Sequence, residues 1–403
     1  MHSAAVALFS LGLGWCAIAT AEAQPPRVVT LDEALAAAES VPEVVAARAM
    51  ERAAAAGIRD ARAPGDPSLS LATRSVSARE SLSVSIPFRW GGQKGAAVSQ
   101  AEAERDSAAR SLEAAIALAR RACRVAWFTL AGSEDRLRAE TDLLARSETN
   151  RRAIADLFEL QRASRLDSVR ATTEAAMAKA SRTSAEQGVI AASAELRALL
   201  GLSDGRLTAG EGRPTPPPEG PLEAWRERAH GGSPEVQVAE AELRAADARV
   251  TRKARDKRPA TSLTAGADWN DPTQPGTDAL LGLGITFPTH GRAGLDAAHA
   301  ERDRAAALLD LARRRAEVDL ESAWSAAGAA RQRFEALDQV AGPAAAEAAE
   351  LTRVGYTEGK LDLFRLLDAE HALADARRDH AEAYREWGVA FAALERLVPE
   401  SHP

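Results

Sequence analysis

The sequence predicts a mainly α-helical protein with membrane-type β-strands, arranged as a two-fold internal repeat of long helical hairpins and four transmembrane strands. Residues 81–88 alternate serine with apolar residues through Ser85, and this period of two is typical of a strand with one apolar face. From Lys94 a helix-period run begins that meets no proline before Pro214. The same succession of strand and long helix returns at residues 281–288, which predicts the repeat.

The composition favours long packed helices over a globular core. Hydrophobic residues make up 46% of the 403 residues, while aromatic residues make up only 4%. The net charge of −7 gives no electrostatic reason to expect a nucleic-acid partner. The sequence has no Walker loop and no H-E-x-x-H, C-x-x-C or G-x-S-x-G motif, so we expect no enzymatic activity and no cofactor.

The N-terminal residues are typical of a secretory signal peptide. Residues 4–19 are apolar and Ala21-Glu22-Ala23 matches a cleavage site, so we expect residues 1–23 to be removed. Cys16 follows a tryptophan, which is a poor context for lipid attachment, and its lipidation stays an open alternative. With the signal peptide removed, Cys123 is the only cysteine, and we interpret it as a small apolar helix residue.

The first repeat is predicted over residues 24–202. Thr30 and Glu33 form a capping box at the start of a short helix. The elements that follow are a helix at 43–62, strands at 68–74 and 80–88, a long helix at 94–160 and a return helix at 166–200. At 1.5 Å per residue the long helix makes a rod of about 100 Å, which no compact domain accommodates.

The second repeat is predicted over residues 221–403, after a linker at 203–220 that is rich in glycine and proline. Trp127 and Trp324 lie 197 residues apart, and so do Glu104 and Glu301. Pro343 interrupts the second rod and predicts a kink or break near residues 340–342. The predicted elements are a helix at 234–257, strands at 262–269 and 280–287, a long helix at 294–355 and a return helix at 361–397.

The strands have the length of tilted membrane-spanning β-structure, which needs roughly 9–11 residues. Trp90 and Trp269 fall at strand ends, where interfacial aromatic residues belong. A soluble two-sided sheet would give the same alternation. Four strands cannot close a barrel, so several chains must pool their strands; three chains would supply twelve strands and leave a passage. We therefore expect a homotrimer with a β-barrel above an α-helical barrel.

The chain resembles the TolC-type outer-membrane efflux family over its mature length. The resemblance depends on the repeated L-D-E-A-L and P-E-V starts, on the strand-to-Gly-Gly-to-rod junction, and on the turn G-Y-T-E-G-K at residues 355–360 with L-L-D-A at 366–369. The segment R-W-G-G-Q-K-G at residues 89–95 is most similar to the CzcC-like cation-efflux branch.

The resemblance implies a passive exit duct in the cell outer membrane with a periplasmic helical barrel. It implies a homotrimer that joins a periplasmic adaptor (a membrane fusion protein) and an inner-membrane pump of the resistance-nodulation-division type. The implied cargo is heavy-metal cations of the cobalt, zinc and cadmium type, with drugs or other small organic molecules as the alternative. The alternative function is a periplasmic adaptor or a structural coiled-coil protein.

The resemblance also implies that the two hairpin turns form a periplasmic tip that contacts the adaptor and holds a closed gate. The gate candidates are Asp167, Arg365 and Asp368, although solvated charges on a helix face would give the same pattern. The chain departs from the family twice, with Gln161 in place of glycine and Arg365 at the equivalent of Asp167. The turn residues are Gln161, Arg162, Ala163, Ser164, Arg165, Gly359, Lys360, Leu361 and Asp362.

One set of residues has the spacing of a weak metal site. His371, Asp375 and Asp379 recur every four residues, so they could line one helix face and contact a passing cation. The alternative is that this face is simply the solvated side of the helix.

Overall fold

The structure is a computed structural model in which long antiparallel helices carry a small β-sheet. Across the part of the chain that it describes, no helix combines the length and the apolar character needed to cross a membrane. The described residues are 26–74, 79–88, 92–210, 214–229, 232–269, 276–288 and 291–398. The expected signal peptide, with Cys16, and Trp90 lie outside these ranges.

The first repeat contains one very long helix and a shorter helix that returns antiparallel to it. Its elements are β1 (Arg27–Val28), α1 (Leu31–Ala37), α2 (Pro42–Arg62), β2 (Ser68–Arg74), β3 (Arg79–Phe88), α3 (Gln93–Glu159) and α4 (Arg165–Leu199).

The second repeat has the same order of elements after a short strand in the linker. Its elements are β4 (Leu207–Thr208), α5 (Leu222–Ala229), α6 (Pro234–Asp256), β5 (Ala260–Trp269), β6 (Asp278–Thr286), α7 (Gly291–Ala336), α8 (Gly342–Thr357) and α9 (Leu363–Arg396).

Helix starts follow directly from local sequence. Four helices have a side-chain oxygen at the N-cap that accepts a hydrogen bond from the backbone N–H three residues later, which satisfies one free donor of the first turn. These N-caps are Thr30, Ser164, Ser233 and Asp362.

The α-helix of the second rod is interrupted close to where the sequence predicts a kink or break. A π-helical turn at Leu337–Ala341 joins α7 to α8, and the chain continues as a helix. The N–H of Gly342 donates to the carbonyl of Leu337, five residues back. This wider turn places Pro343 in the first turn of α8, where the missing proline N–H leaves no bond unmade.

The sheet is antiparallel with the order β2-β3-β5-β6, so the inner pair joins the two repeats. The register pairs Leu71 with Leu82 and Leu263 with Leu283, which places most apolar side chains of the four strands on one face. Within the described residues, β2 and β6 each have one unpaired edge. A separate parallel pair, β1 with β4, joins the start of the chain to the linker.

The repeat is visible at its two long-helix tryptophans. The indole N–H of Trp127 donates to the carbonyl of Val29 at 2.8 Å, and the indole N–H of Trp324 donates to the carbonyl of Gly220 at 2.9 Å. Each acceptor lies two residues before a short helix, α1 or α5. The shared spacing in sequence therefore reflects a shared contact between a rod and the segment that precedes it.

The principal core lies where α3 meets α9. There Phe128 of α3 packs so closely on Gly388 of α9 that a Cβ at Gly388 would come within 2.1 Å of the phenyl ring. One turn further along α3, a Cβ at Gly132 would meet the carbonyl of Ala381 at 3.0 Å. These glycines let the two helices approach closely, and they hold the two hairpins together.

Candidate functional site

The first candidate surface is the apolar face of the sheet. The exposed fraction of the side chain is 78% for Leu281 and 70% for Leu69. The register places both on the same face as the other apolar residues of the sheet. The members of this face are Leu69, Leu71, Leu82, Val84, Ile86, Leu263, Ala265, Ala267, Leu281, Leu283 and Ile285. A contiguous exposed face of this kind marks a surface that contacts lipid or another protein.

The opposite face of the sheet is mostly small and polar, and its exception is Leu280 of β6, which pairs with Gly266. Ser70 and Ser83 share a hydrogen bond of 2.8 Å, and the hydroxyl of Thr264 lies 3.1 Å from that of Ser85. The two faces of the sheet therefore differ in polarity and suit different surroundings.

Trp269, predicted as an interfacial aromatic residue, lies at the end of β5. Its indole N–H donates to the Glu80 carboxylate on β3 at 2.6 Å. The tryptophan is therefore fixed across two strands at one end of the sheet. Its predicted counterpart, Trp90, is outside the described residues.

The second candidate surface is the pair of hairpin turns, which have the same backbone structure. In the first turn the N–H of Arg162 donates to the carbonyl of Leu157 at 2.8 Å, and in the second the N–H of Lys360 donates to the carbonyl of Gly355 at 2.8 Å. Both close the helix end with the six-residue hydrogen bond of a Schellman motif.

The left-handed residue of each turn falls at equivalent positions. Gly359 has a φ of 74°, and Gln161 has a φ of 57°. Among the described residues Gln161 is the one non-glycine residue with positive φ, a conformation that strains an L side chain. Gln161 therefore differs from the family glycine in its side chain, while the backbone of the turn keeps the left-handed conformation.

The gate candidate Asp167 acts as part of a helix cap. Its carboxylate accepts hydrogen bonds from the Ser164 hydroxyl at 2.6 Å and from the Ser164 N–H at 3.2 Å. The Asp167 N–H donates in return to the Ser164 hydroxyl, which completes a capping box. The S-x-x-D spacing could have predicted this role.

Arg365 and Asp368 lie in the first two turns of α9 with exposed side chains. The Arg365 N–H donates to the N-cap carboxylate of Asp362 at 3.0 Å. Within the described residues of one chain, no ion pair joins Asp167, Arg365 and Asp368 to one another.

Sequence reasoning missed the role of Tyr356 at the tip. Burial, with the nearby carboxylate of Asp167 as a second cause, raises the pKa of the Tyr356 phenol. Tyr356 packs against a small apolar cluster that includes Ile154 of α3 and Leu366 of α9. The two turns are therefore held together in one chain by apolar contacts beneath their exposed charges.

Sequence reasoning also missed a buried carboxyl group in the contact between α3 and α9. Glu370 is 4% exposed and accepts a hydrogen bond from the Asn150 side chain at 2.6 Å. Burial raises the pKa of Glu370, although that hydrogen bond and nearby cationic groups act in the opposite direction. Glu370 shares a helical face with Leu363, Leu366 and Leu373, and this pattern could have predicted its burial.

The three residues of the predicted metal site do not converge. The ring of His371 contacts the Glu174 carboxylate on α4 at 2.7 Å. Asp375 pairs with Arg378, and Asp379 lies 3.9 Å from Arg333. Across the described residues, no three His, Cys, Asp or Glu side chains are placed so that they could hold a metal ion.

Cys123 has the surroundings expected of an apolar residue. Its side chain is fully buried against α2, and burial raises the pKa of its thiol. The thiol therefore stays protonated and unreactive at neutral pH.

Comparison with known proteins gives one family. Residues 225–399 match the model of the outer membrane efflux protein family. The chain is 24% identical to the cobalt-zinc-cadmium resistance protein CzcC of Cupriavidus metallidurans, over 98% of this chain and 95% of that protein.

Solved structures show the same fold. The CmeC outer membrane channel of Campylobacter jejuni superposes with a TM-score of 0.78 at 13% identity, covering 100% of this chain and 95% of that one. A membrane protein from Pseudomonas aeruginosa gives a TM-score of 0.76 at 20% identity, covering 91% and 93%. The resemblance is confirmed: the chain has the fold of the TolC-type channels along its length, and residues 225–399 match the outer membrane efflux protein family.

Proposed function

We propose that this protein is the outer-membrane exit duct of a tripartite efflux system, working as a homotrimer. The observation that carries the proposal is the sheet, in which a continuous apolar face and two unpaired edges occur together. In water such a surface invites aggregation, because both the side chains and the edge backbone groups lack partners. In lipid the same face is stabilised, provided that other copies pair the edges.

Three copies would satisfy both requirements. Each copy contributes four strands, and β6 of one copy would pair with β2 of the next, so that no backbone edge remains. Twelve strands leave a passage, whereas the eight strands of a dimer would be filled by side chains. The apolar face would then contact lipid, and the serine-rich face would line the passage.

The helices would extend this passage into the periplasm. The 67 residues of α3 make a rod of about 100 Å. At its far end both hairpin turns lie side by side with exposed apolar residues, of which Leu160, Leu166 and Phe364 are each at least 60% exposed. We propose that these turns dock a periplasmic adaptor. We also propose that Asp167, Arg365 and Asp368 help to keep the gate closed through contacts between neighbouring copies.

The proposed cargo is heavy-metal cations, and the proposed energy source is an inner-membrane pump of the resistance-nodulation-division type. Support for this cargo comes from the cobalt-zinc-cadmium resistance protein, which the chain matches end to end. The duct itself would be passive, and the wall of a passage need not bind its cargo.

A charge placed on either face of the sheet tests the duct. In Leu281→Asp the carboxylate would face lipid at the edge strand, so we expect loss of the trimer and of membrane insertion. The matched control is Ser83→Asp on the serine-rich face, which we expect to leave a trimer in the membrane. Native mass spectrometry of detergent-purified protein and membrane fractionation give the two readouts. A wild-type protein that is monomeric and soluble without detergent would contradict the proposal and favour an adaptor or structural protein.

The cargo requires a separate experiment. We expect a strain that lacks this protein to lose tolerance to cobalt, zinc or cadmium, and to regain it on complementation. Growth in nickel, copper and several drugs supplies the comparison. Sensitivity to the drugs alone would overturn the metal assignment while leaving the duct intact.

A further inference from the structure

A basic cavity of about 350 Å³ lies where the two repeats meet, far along the rods from the hairpin turns. Its walls come from the middle of α3, the start of α6 and the end of α9. Apolar side chains, among them Ile116, Ala392 and Val398, form part of the wall.

The charged residues of the cavity are mostly cationic. Five arginines line it, against two glutamates, and each glutamate is already paired with an arginine: Glu113 with Arg110, and Glu395 with Arg124. Like charges at this density repel one another strongly in a partly dry site, unless an anion compensates them. Arg120, Arg121 and Arg396 also line the wall, and of these Arg120 and Arg396 have interaction partners of their own.

Two guanidinium groups in the cavity wall have unused donors. The Nε atoms of Arg121 and Arg396 are buried and have no hydrogen-bond partner among the described residues. Arg396 has one ion pair, to Glu235, which leaves its Nε unused. Buried donors without partners are rare in folded proteins, and a bound water or anion would satisfy them.

The start of α6 adds to the same field. Pro234 and Gln237, from the first turn of this 23-residue helix, form part of the wall. The N–H groups of Val236 and Gln237 are already bonded to Ser233, so the contribution of this helix start is its dipole, whose positive end favours an anion.

We propose that this cavity binds a small multivalent oxyanion, a phosphate or a polycarboxylate, with Arg121 and Arg396 as its principal ligands. The anion would satisfy the two buried Nε donors and neutralise the cluster. Because the cavity joins α3 of the first repeat to α6 and α9 of the second, the bound anion would hold the repeats together at this level. Binding to the folded state alone raises stability with ligand concentration. The proposal does not depend on the duct or on its cargo.

Calorimetric titration with inorganic phosphate tests the site in full-length protein purified in detergent and phosphate-free buffer. We expect saturable binding and a rise in the melting temperature that chloride at equal ionic strength does not give. In Arg121→Gln we expect a phosphate affinity about 10- to 100-fold weaker, as for the loss of one charge-assisted hydrogen bond. The control Arg314→Gln removes an exposed arginine of α7 outside the cavity and should leave the affinity unchanged.

A second variant is expected to change the phosphate affinity in the opposite direction, and this test does not require the first variant to fold. Glu395→Gln removes a carboxylate that competes for Arg124, so we expect it to bind phosphate more tightly than the wild type. Equal affinity in all variants, or the same response to chloride, would overturn the proposal. So would a phosphate-insensitive protein whose Arg121→Gln variant dissociates into monomers, because the cavity would then receive an acidic side chain of a neighbouring copy.

Discussion

The two return helices have the same kind of start but different neighbourhoods. Helix α4 buries small residues such as Ala175, Ala178 and Ala185 against α3, and it leaves Met177 and Ile190 exposed. Helix α9 buries Leu366, Trp387 and Phe391 and contacts α3, α7 and α8. The hairpin turn is thus a local structure that both repeats keep, whereas the packing of the returning helix depends on which partners surround it.

The largest expected effect on stability distinguishes α9 from α4, and it is tested by replacing one glycine in each helix with alanine. Gly388→Ala in α9 places a Cβ against the ring of Phe128, and we expect it to lower the free energy of unfolding by about 3 kcal/mol. Gly188→Ala in α4 meets no atom within 4 Å and should raise it by roughly 0.5–1 kcal/mol, because alanine favours a helix. Chemical denaturation of both variants measures the difference. Equal and small effects would mean that α3 and α9 do not approach closely.

The next effect compares the two tryptophans. Trp127→Phe leaves the buried carbonyl of Val29 without its donor, so we expect a loss of about 2 kcal/mol. Trp324 is partly exposed, and water can replace its bond to Gly220, so Trp324→Phe should lose less than about 1 kcal/mol. Thermal unfolding followed by circular dichroism measures both variants. The reverse order of stability would contradict the shared contact as described.

The turns give a smaller effect of opposite sign. Gln161→Gly removes the strain of a left-handed glutamine, and we expect it to stabilise the protein by about 1 kcal/mol. Gly359→Ala introduces the same strain at the equivalent position and should destabilise it by a similar amount. Melting temperatures in one detergent measure the pair. If both variants destabilise the protein, the two turns are not equivalent.

The smallest effect is a pH dependence. The folded state raises the pKa of Glu370, so between the unfolded and folded pKa values the native carboxyl keeps a proton that the unfolded chain has released. Stability from this group therefore falls as the pH rises through that window. Glu370→Gln stays neutral and keeps a partner for Asn150, so we expect it to be more stable than the wild type at pH 8, by about 1 kcal/mol or less.

A pair of pH series checks this sign. The advantage of Glu370→Gln should shrink as the pH falls through the raised pKa of Glu370, because the wild-type carboxyl then gains its proton. Glu347→Gln, at an exposed carboxylate of α8, is the control and should show no such trend. An advantage of Glu370→Gln that grows as the pH falls would show that the native site favours the charged carboxylate.

Local patterns in the sequence predicted local structure well. The long helix predicted at 94–160 runs Gln93–Glu159, and the strand predicted at 80–88 runs Arg79–Phe88. Periodicity, caps and turn residues are encoded within a few neighbouring positions, so one sequence is enough to find them. The spacing between Trp127 and Trp324 also predicted the internal repeat, and both tryptophans make the equivalent hydrogen bond in the structure.

Features that depend on distant partners could not be predicted in this way. Phe128 meets Gly388 only because α9 returns along α3, and the basic cavity assembles arginines of α3 with an arginine of α9. His371 shows the same limit, since its spacing to Asp375 is local but its partner Glu174 lies on another helix. Helical spacing places residues on one face, and tertiary contacts decide what that face meets.

The parallel pairing of β1 with β4 has a consequence for how the chain matures. The N–H groups of Arg27 and Val29 donate to carbonyls of Arg206 and Thr208, about 180 residues later, so during synthesis they have no partner until the whole first repeat has emerged. Such remote pairings are slow to form, because a long loop must close first. Strand β1 would therefore stay unpaired until the linker that contains β4 has been synthesised. A chaperone that shields the nascent chain would act during this interval.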